Sequence, residues 1–244
     1  MSFLGVMIGL PYLHSSCHPH KKSKRPTNPK HINPNHTTKQ LSLNHKIPPM
    51  TAFRLQLPTD PRWVNLAEKS IEDILTDHAY CEQKAASTCI SLIQQYSEYT
   101  QLVEELAPIV TEEWGHFRMV LSELKKRNLP FGKQRKDEYV GHLQQFIRKG
   151  TNRTEQLMDK LLMAGLIEAR SCERFRLLSE HISDPNLRPF YRHLLEAEAA
   201  HYTLFLELAR TYCDKEQVRQ RWFEWLEYEK EILEKLTPRG DRMH

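Results

Sequence analysis

Two short spacings in this 244-residue sequence have the makings of a metal site. Glu113-Trp-Gly-His116 and Glu198-Ala-Ala-His201 each set a carboxylate and an imidazole three residues apart. Residues three apart share one face of a helix, so each pair can grip one metal ion. Of 13 histidines, only His116 and His201 have a glutamate three positions before them. A single match of this kind arises by chance for roughly one histidine in ten, so the weight falls on the two together and on where they sit. Hard carboxylate oxygens mixed with imidazole suit iron or manganese, whereas structural zinc favours thiolates.

The elements that must position these groups are helices. Thr59-Asp60-Pro61 offers a cap and a first-turn proline, and apolar residues recur at helical spacing from Val64 through Ile71, Ile74, Leu75, Ala79, Ala86 and Cys89 to Ile93. A turn is expected within Gln94–Gln101. A second helix is expected over Leu102–Arg127, stopped by Asn128-Leu-Pro-Phe-Gly132, and a short one over Glu138–Lys149. A third long helix should cover Thr154–His181. Ser183-Asp184-Pro185 then restarts the chain, with Asp184 as cap, into a fourth that reaches Tyr212. A last amphipathic segment spans Lys215–Leu236. Nothing alternates with the period of a strand. The expected fold class is all-α, a four-helix bundle with additional short and C-terminal helices.

Helical hairpins put residues equidistant from a turn at one height. Pairing Glu82 with Glu113 centres the first hairpin in Gln94–Gln101, and pairing Glu168 with Glu198 centres the second on Ser183-Asp184. Each carboxylate then stands about 23 Å along its helix from the turn. The two hairpins form a loose internal repeat that brings Glu82, Glu113, His116, Glu168, Glu198 and His201 to one level. Glu82 shares its stripe with Ala86, Cys89 and Ile93, and Glu168 with Leu161, Gly165, Cys172 and Phe175. A glutamate in an apolar stripe must be paired, protonated or bound to a cation. Glu173 is the rival ligand on the third helix, but Arg170 and Arg176 flank it as on a salt-bridged outer face. Two helices each giving a glutamate and two giving Glu-x-x-His is the ligand pattern of ferritin-like dimetal carboxylate proteins. Gly115, inside a helix, suggests close helix approach beside the metals. Cys89, Cys172, Trp114 and Phe117 are assigned to the core.

Charge divides the chain. Residues 1–49 hold seven basic residues, no acid, seven of the 14 prolines and six histidines, while the rest carries 28 basic against 31 acidic residues, a net −3. The overall +4 therefore belongs to the tail and does not make the folded part a nucleic-acid binder. Residues 1–52 read as a disordered basic His/Pro/Lys-rich tail, and 53–244 as one helical domain large enough for a single core. Ser2–Leu13 is a poor secretory signal, and Met50-Thr-Ala-Phe53 offers an alternative start. Five cysteines without a CxxC pair fit a reducing compartment. No apolar run approaches the roughly 18 residues of a membrane span. Few glycines argue against phosphate-cradling loops.

From about Leu57 to Leu236 the sequence resembles bacterial tRNA 2-methylthio-N6-isopentenyladenosine hydroxylases. The resemblance is carried by Asp77-His-Ala-Tyr-Cys-Glu-Gln-Lys-Ala-Ala-Ser, Glu112-Glu-Trp-Gly-His-Phe, Leu166-Ile-Glu-Ala-Arg-Ser-Cys-Glu-Arg-Phe and Glu196-Ala-Glu-Ala-Ala-His-Tyr. It implies a ferritin-like di-iron monooxygenase in the cytoplasm, acting at adenosine 37 of tRNA with O2 and electrons from a reductase or ferredoxin. Glu82, Glu113 and His116 would hold one of two iron ions, and Glu168, Glu198 and His201 the other, with glutamates bridging. For the RNA, nine basic residues in the long connection are candidates: Lys125, Lys126, Arg127, Lys133, Arg135, Lys136, Arg148, Lys149 and Arg153, opposed by Asp137 and Glu138. A ferritin-like iron-binding or ferroxidase protein shares the ligand set, a quinone hydroxylase would need membrane-binding apolar helices, and a metal-free helical interaction module is the non-enzymatic alternative.

Overall fold

The computed structural model describes residues 53–244, so the predicted N-terminal tail and its alternative start lie outside the described residues. The helices are α1 (Trp63–Ala67), α2 (Ile71–Gln95), α3 (Thr100–Lys126), α4 (Glu138–Phe146), α5 (Arg153–His181), α6 (Leu187–Tyr212) and α7 (Lys215–Lys235), with a 3-10 turn at Glu68–Ser70 before α2. No strand occurs among the described residues.

Local chemistry explains most boundaries. Ser70 Oγ accepts from Asp73 N–H and starts α2, Asn152 caps α5 through Glu155 N–H, and Asp214 caps α7 through Glu216 and Gln217. The first expected helix is broken at Glu68–Ser70 rather than continuous. Trp63 Nε1 donates to the Arg239 carbonyl at 2.8 Å, and a Cβ on Gly240 would lie 2.2 Å from the Leu66 carbonyl. The chain after α7 thus packs directly on the break, where only a glycine fits. Asp184 opens the turn into α6 by accepting Asn186 N–H at 2.8 Å, though α6 itself begins at Leu187.

Helices α2 and α3 form one hairpin and α5 and α6 the other. Nineteen of the 29 residues of α5 are buried, the pattern of a helix covered on every side. One of its faces meets the bundle interior. The other is closed by α1, α7 and the chain after α7. That last segment is tied down by Arg242 on Asp77 at 2.6 Å, by Met243 N–H on Asp77 at 2.8 Å, and by His244, which sits 2.9 Å from Ser171 Oγ and stacks on Tyr139.

A buried polar lattice stiffens the outer face of α5. Arg170 bonds Glu229 and Glu173, Tyr139 donates to Glu229 at 2.9 Å, and Glu173 also accepts from Thr59 N–H at 3.1 Å and Thr59 Oγ1 at 2.5 Å. Glu173 is therefore salt-bridged as expected, but on a buried face, because α7 and the segment before α1 cover it. Further along, Asp159 takes Arg148 and Arg221 together.

Candidate metal centre

Four long helices deliver the six side chains to one buried point. Glu82 comes from α2, Glu113 and His116 from α3, Glu168 from α5, and Glu198 and His201 from α6, and each is buried. They form two overlapping donor groups, Glu82–Glu113–His116–Glu198 and Glu113–Glu168–Glu198–His201, with one donor atom of each residue within 4.8 Å of the others. Glu113 and Glu198 belong to both groups. Glu173 belongs to neither.

The imidazoles aim the same nitrogen inward. His116 Nδ1 is 3.6 Å from Glu82 Oε2, 3.6 Å from Glu113 Oε2 and 3.4 Å from Glu198 Oε1. His201 Nδ1 is 2.8 Å from Glu113 Oε1 and 3.2 Å from Glu198 Oε2. Yet both Glu113 oxygens, Glu198 Oε1 and His116 Nδ1 lack a well-formed hydrogen bond. Buried polar atoms left open in a packed core are costly. Their convergence, with an oxygen-rich donor set and two imidazoles, fits a pair of iron or manganese ions.

The electrostatics show how these carboxylates share one space. Burial, then the neighbouring Glu198, push Glu82 and Glu168 up, and hold Glu113 at about 7. Burial disfavours charge on His116 and His201, but the carboxylates around them outweigh it, raising His116 to about 12 and His201 well above its ordinary value. Glu198 goes the other way. Its burial is overcome by hydrogen bonds from both imidazoles, so it stays ionised.

Two supporting residues were not found by the spacing argument. Glu112 Oε2 lies 3.0 Å from His201 Nε2, which fixes the ring so that Nδ1 faces the centre. His78 Nε2 lies 2.6 Å from Glu82 Oε1, and its ring stacks on Tyr191. Burial holds His78 down to about 3, so it is neutral. The Glu112-Glu113 doublet and the position of His78 one turn before Glu82 were the available signals.

A mostly apolar cleft of about 580 Å3 opens between α2 and α5 beneath α4, and Glu168 stands in its wall. None of the other five donors lines it. Cys89, Cys172 and Phe117 are core residues, whereas Trp114 is 47% exposed and so departs from the core assignment. Trp114 packs on Phe117, Phe117 meets Phe131, and Phe131 stacks on Tyr80, which makes a run of rings across the outer side of α2 and α3. A Cβ on Gly115 would meet nothing within 4 Å, so close helix approach does not explain that glycine.

The basic connection divides into two kinds. Lys126 and Arg127 pair with Glu123, Arg135 with Asp73 and Asp241, Arg148 with Asp159, and Arg153 with Glu98. Lys125, Lys133, Lys136 and Lys149 have no ion pair among the described residues, and all four are exposed.

The sequence profile of the family described as tRNA-(MS2IO6A)-hydroxylase (MiaE) matches residues 45–244. The chain belongs to this family. A tRNA 2-(methylsulfanyl)-N(6)-isopentenyladenosine(37) hydroxylase of Pseudomonas putida is 38% identical over 172 residues, covering 70% of this chain and 82% of that protein. A Salmonella typhimurium protein of the same name is 29% identical, covering 64% and 75%. Among solved structures, protein 43 with aldehyde deformylating oxygenase activity from Synechococcus superposes with a TM-score of 0.74 at 37% identity, covering 78% of this chain and 94% of that one. The family is one of hydroxylases, and the ferritin-like bundle agrees with it. No helix among the described residues is long and apolar enough to cross a membrane.

Proposed function

We infer that this MiaE-family chain is a non-haem di-iron monooxygenase that hydroxylates the isopentenyl side chain of 2-methylthio-N6-isopentenyladenosine at position 37 of tRNA. O2 is the co-substrate, a reductase or ferredoxin supplies electrons, and the site of action is the cytoplasm. The observation that carries this reading is the cleft between α2 and α5. A ligand filling it touches Glu168, one of the six donors.

Glu82, Glu113 and His116 would hold one iron and Glu168, Glu198 and His201 the other, with Glu113 and Glu198 common to both. The iron pair, when bound, supplies the oxidising power needed to attack an unactivated C–H bond. The chain supplies position and dryness. Ala85, Leu92, Val140, Ile147, Ala164 and Ile167 line the cleft and suit a branched hydrocarbon chain while excluding water. No side-chain acid or base is required. Lys125, Lys133, Lys136 and Lys149 are free to meet phosphates. Trp114 and Phe131, both exposed, offer faces for unstacked bases of a loop.

The test is turnover by the iron-loaded full chain with O2, a reductant and tRNA carrying the modified nucleoside, read by nucleoside mass. The nucleoside should gain one oxygen. Glu168→Ala should abolish turnover while leaving tRNA affinity nearly unchanged, and full turnover in that variant would end the reading. The activity named for the Synechococcus protein makes an aldehyde the second substrate to assay, because the cleft is largely apolar. Growth into an iron-filled shell on Fe(II) loading would favour storage instead.

A further inference from the structure

A second cleft, of about 910 Å3, lies between the segment before α1, the outer face of α5 and the chain after α7. Seven cationic and three acidic side chains line it. Two of the acids are already engaged, Asp60 with Arg62 and Asp137 with Lys84 at 2.5 Å, and Glu138 is exposed. Most of the guanidinium groups are engaged too. Arg170 has Glu173 and Glu229, Arg239 has Asp241, and Arg242 has Asp77.

Arg174 differs. It is 7% exposed, yet no carboxylate among the described residues lies within 4.0 Å of it, unlike the other buried guanidiniums of Arg170 and Arg221. Residues 1–52 contain no aspartate or glutamate, so they cannot supply one. Its Nη1 donates to the Arg242 carbonyl at 3.1 Å, its guanidinium lies 4.7 Å over the Trp63 ring, and its Nε has no partner. Burial, with Arg170 nearby, holds it down to about 10, which still leaves it cationic at neutral pH. A buried cation with an open donor, beside a cleft of ligand size, is costly until an anion completes it.

We propose that this cleft binds a phosphate group, with Arg174 as its buried anchor. The planar fork of a guanidinium matches phosphate oxygens, and the volume admits a nucleotide as well as the bare ion. The cleft shares Asp137 and His244 with the cleft that reaches Glu168. The phosphate therefore comes either from the backbone of an RNA whose base occupies that neighbouring cleft, or from a free mononucleotide. The site does not depend on the metal reading.

The experiment is thermal melting of the full chain with inorganic phosphate, and then adenosine monophosphate, against sodium chloride of equal ionic strength. Phosphate should raise the wild-type Tm. Arg174→Met should melt higher than wild type without phosphate, because an unpaired buried charge is gone, and should lose the phosphate-dependent rise. Arg174→Lys should keep part of it. Salt titration of binding to an anticodon stem-loop separates the sources. A log–log slope reduced by about one in Arg174→Met assigns the phosphate to the RNA. An unchanged slope with the mononucleotide response lost assigns it to a free nucleotide. A phosphate-dependent rise that survives in Arg174→Met, or no rise in wild type together with an unchanged RNA slope, would overturn the proposal. An Arg174→Met protein that melts lower than wild type would assign Arg174 to packing on Trp63 and overturn it equally.

Discussion

Metal loading should expel several protons, and the number follows from the charges at the centre. Four ionised glutamates and two neutral imidazoles carry −4, which two divalent ions neutralise. Without metal, protons must do that work. His116, held up to about 12, and His201 each keep one at pH 7, Glu168 keeps one because burial and Glu198 push it up, and Glu113 at about 7 is half protonated. Loading both ions at pH 7 should therefore release about three to four protons per chain. Each displaced proton changes the loading free energy by about 1.4 kcal/mol per pH unit. The product of the two dissociation constants should thus fall about a thousandfold for each unit rise in pH near neutrality, or about thirtyfold per ion. The assay is anaerobic Fe(II) addition to weakly buffered protein, with an indicator dye counting protons and a competing chelator giving affinity at several pH values. Glu168→Gln should release at least one proton fewer. Release of one proton or none, or an affinity flat between pH 6 and 8, would mean that the imidazoles are neutral in the metal-free protein and that the charge argument is wrong.

Glu168 and Glu173 separate ligand from scaffold. Glu168→Gln should lower iron per chain, whereas Glu173→Gln should leave iron content intact and cost about 3 kcal/mol in urea unfolding by breaking a buried pair with Arg170. Asp159→Asn should also cost about 3 kcal/mol at pH 7. Burial alone would raise Asp159, but hydrogen bonds from Arg221 and Arg148 leave it below its ordinary value, so its contribution holds above about pH 4 and fades as pH falls through the lowered value. The gap between wild type and variant, followed by unfolding at pH 7 and pH 3, should accordingly narrow in acid. Reversing the charge of Lys125, Lys133 and Lys136 should weaken tRNA binding and flatten its salt slope by up to about three, with unchanged melting. Ala164→Phe, which fills the cleft beside Glu168, should lower turnover at least tenfold on this reading with iron content and proton release unchanged.

The convergence of the six side chains was legible because helices convert sequence spacing into geometry. A pair at i and i+3 needs only its own turn of helix, and equal distances from two short turns set the heights of Glu82 and Glu168. That logic stops where contacts join residues far apart in sequence. The break before α2 depends on Gly240 packing on Leu66, more than 170 residues later. Glu173 reads as an outer residue until Thr59 and Glu229 close over it. The basic cluster shows the same limit. Composition counts Arg127, Arg148 and Arg153 with the lysines, but Asp184, Asp159 and Glu98 reach them from other elements. Arg174 looks like any arginine beside a glutamate, and its want of a carboxylate partner is visible only once Arg170 has taken Glu173.

The internal repeat makes the six donors nearly symmetric, but their surroundings are not. Glu82 and Glu168 occupy matching places in the two hairpins. Glu82 is braced by His78, whose ring is packed among Phe175, Phe190 and Tyr191. That side is sealed by aromatic side chains and fixed by a hydrogen bond. Glu168 has no histidine behind it, stands in the wall of the apolar cleft, and is pushed up by burial and by Glu198, to which it is hydrogen-bonded. The aromatic cover over Glu82 and the cleft beside Glu168 give the near-symmetric group a direction. On the proposed reading, substrate in this cleft would meet the group that contains Glu168 and His201, and the bond to be oxidised would come to that side. Phe175, Phe190 and Tyr191 of the α5–α6 hairpin cover the Glu82 side, whereas the Glu168 side opens to the cleft beneath the short helix α4.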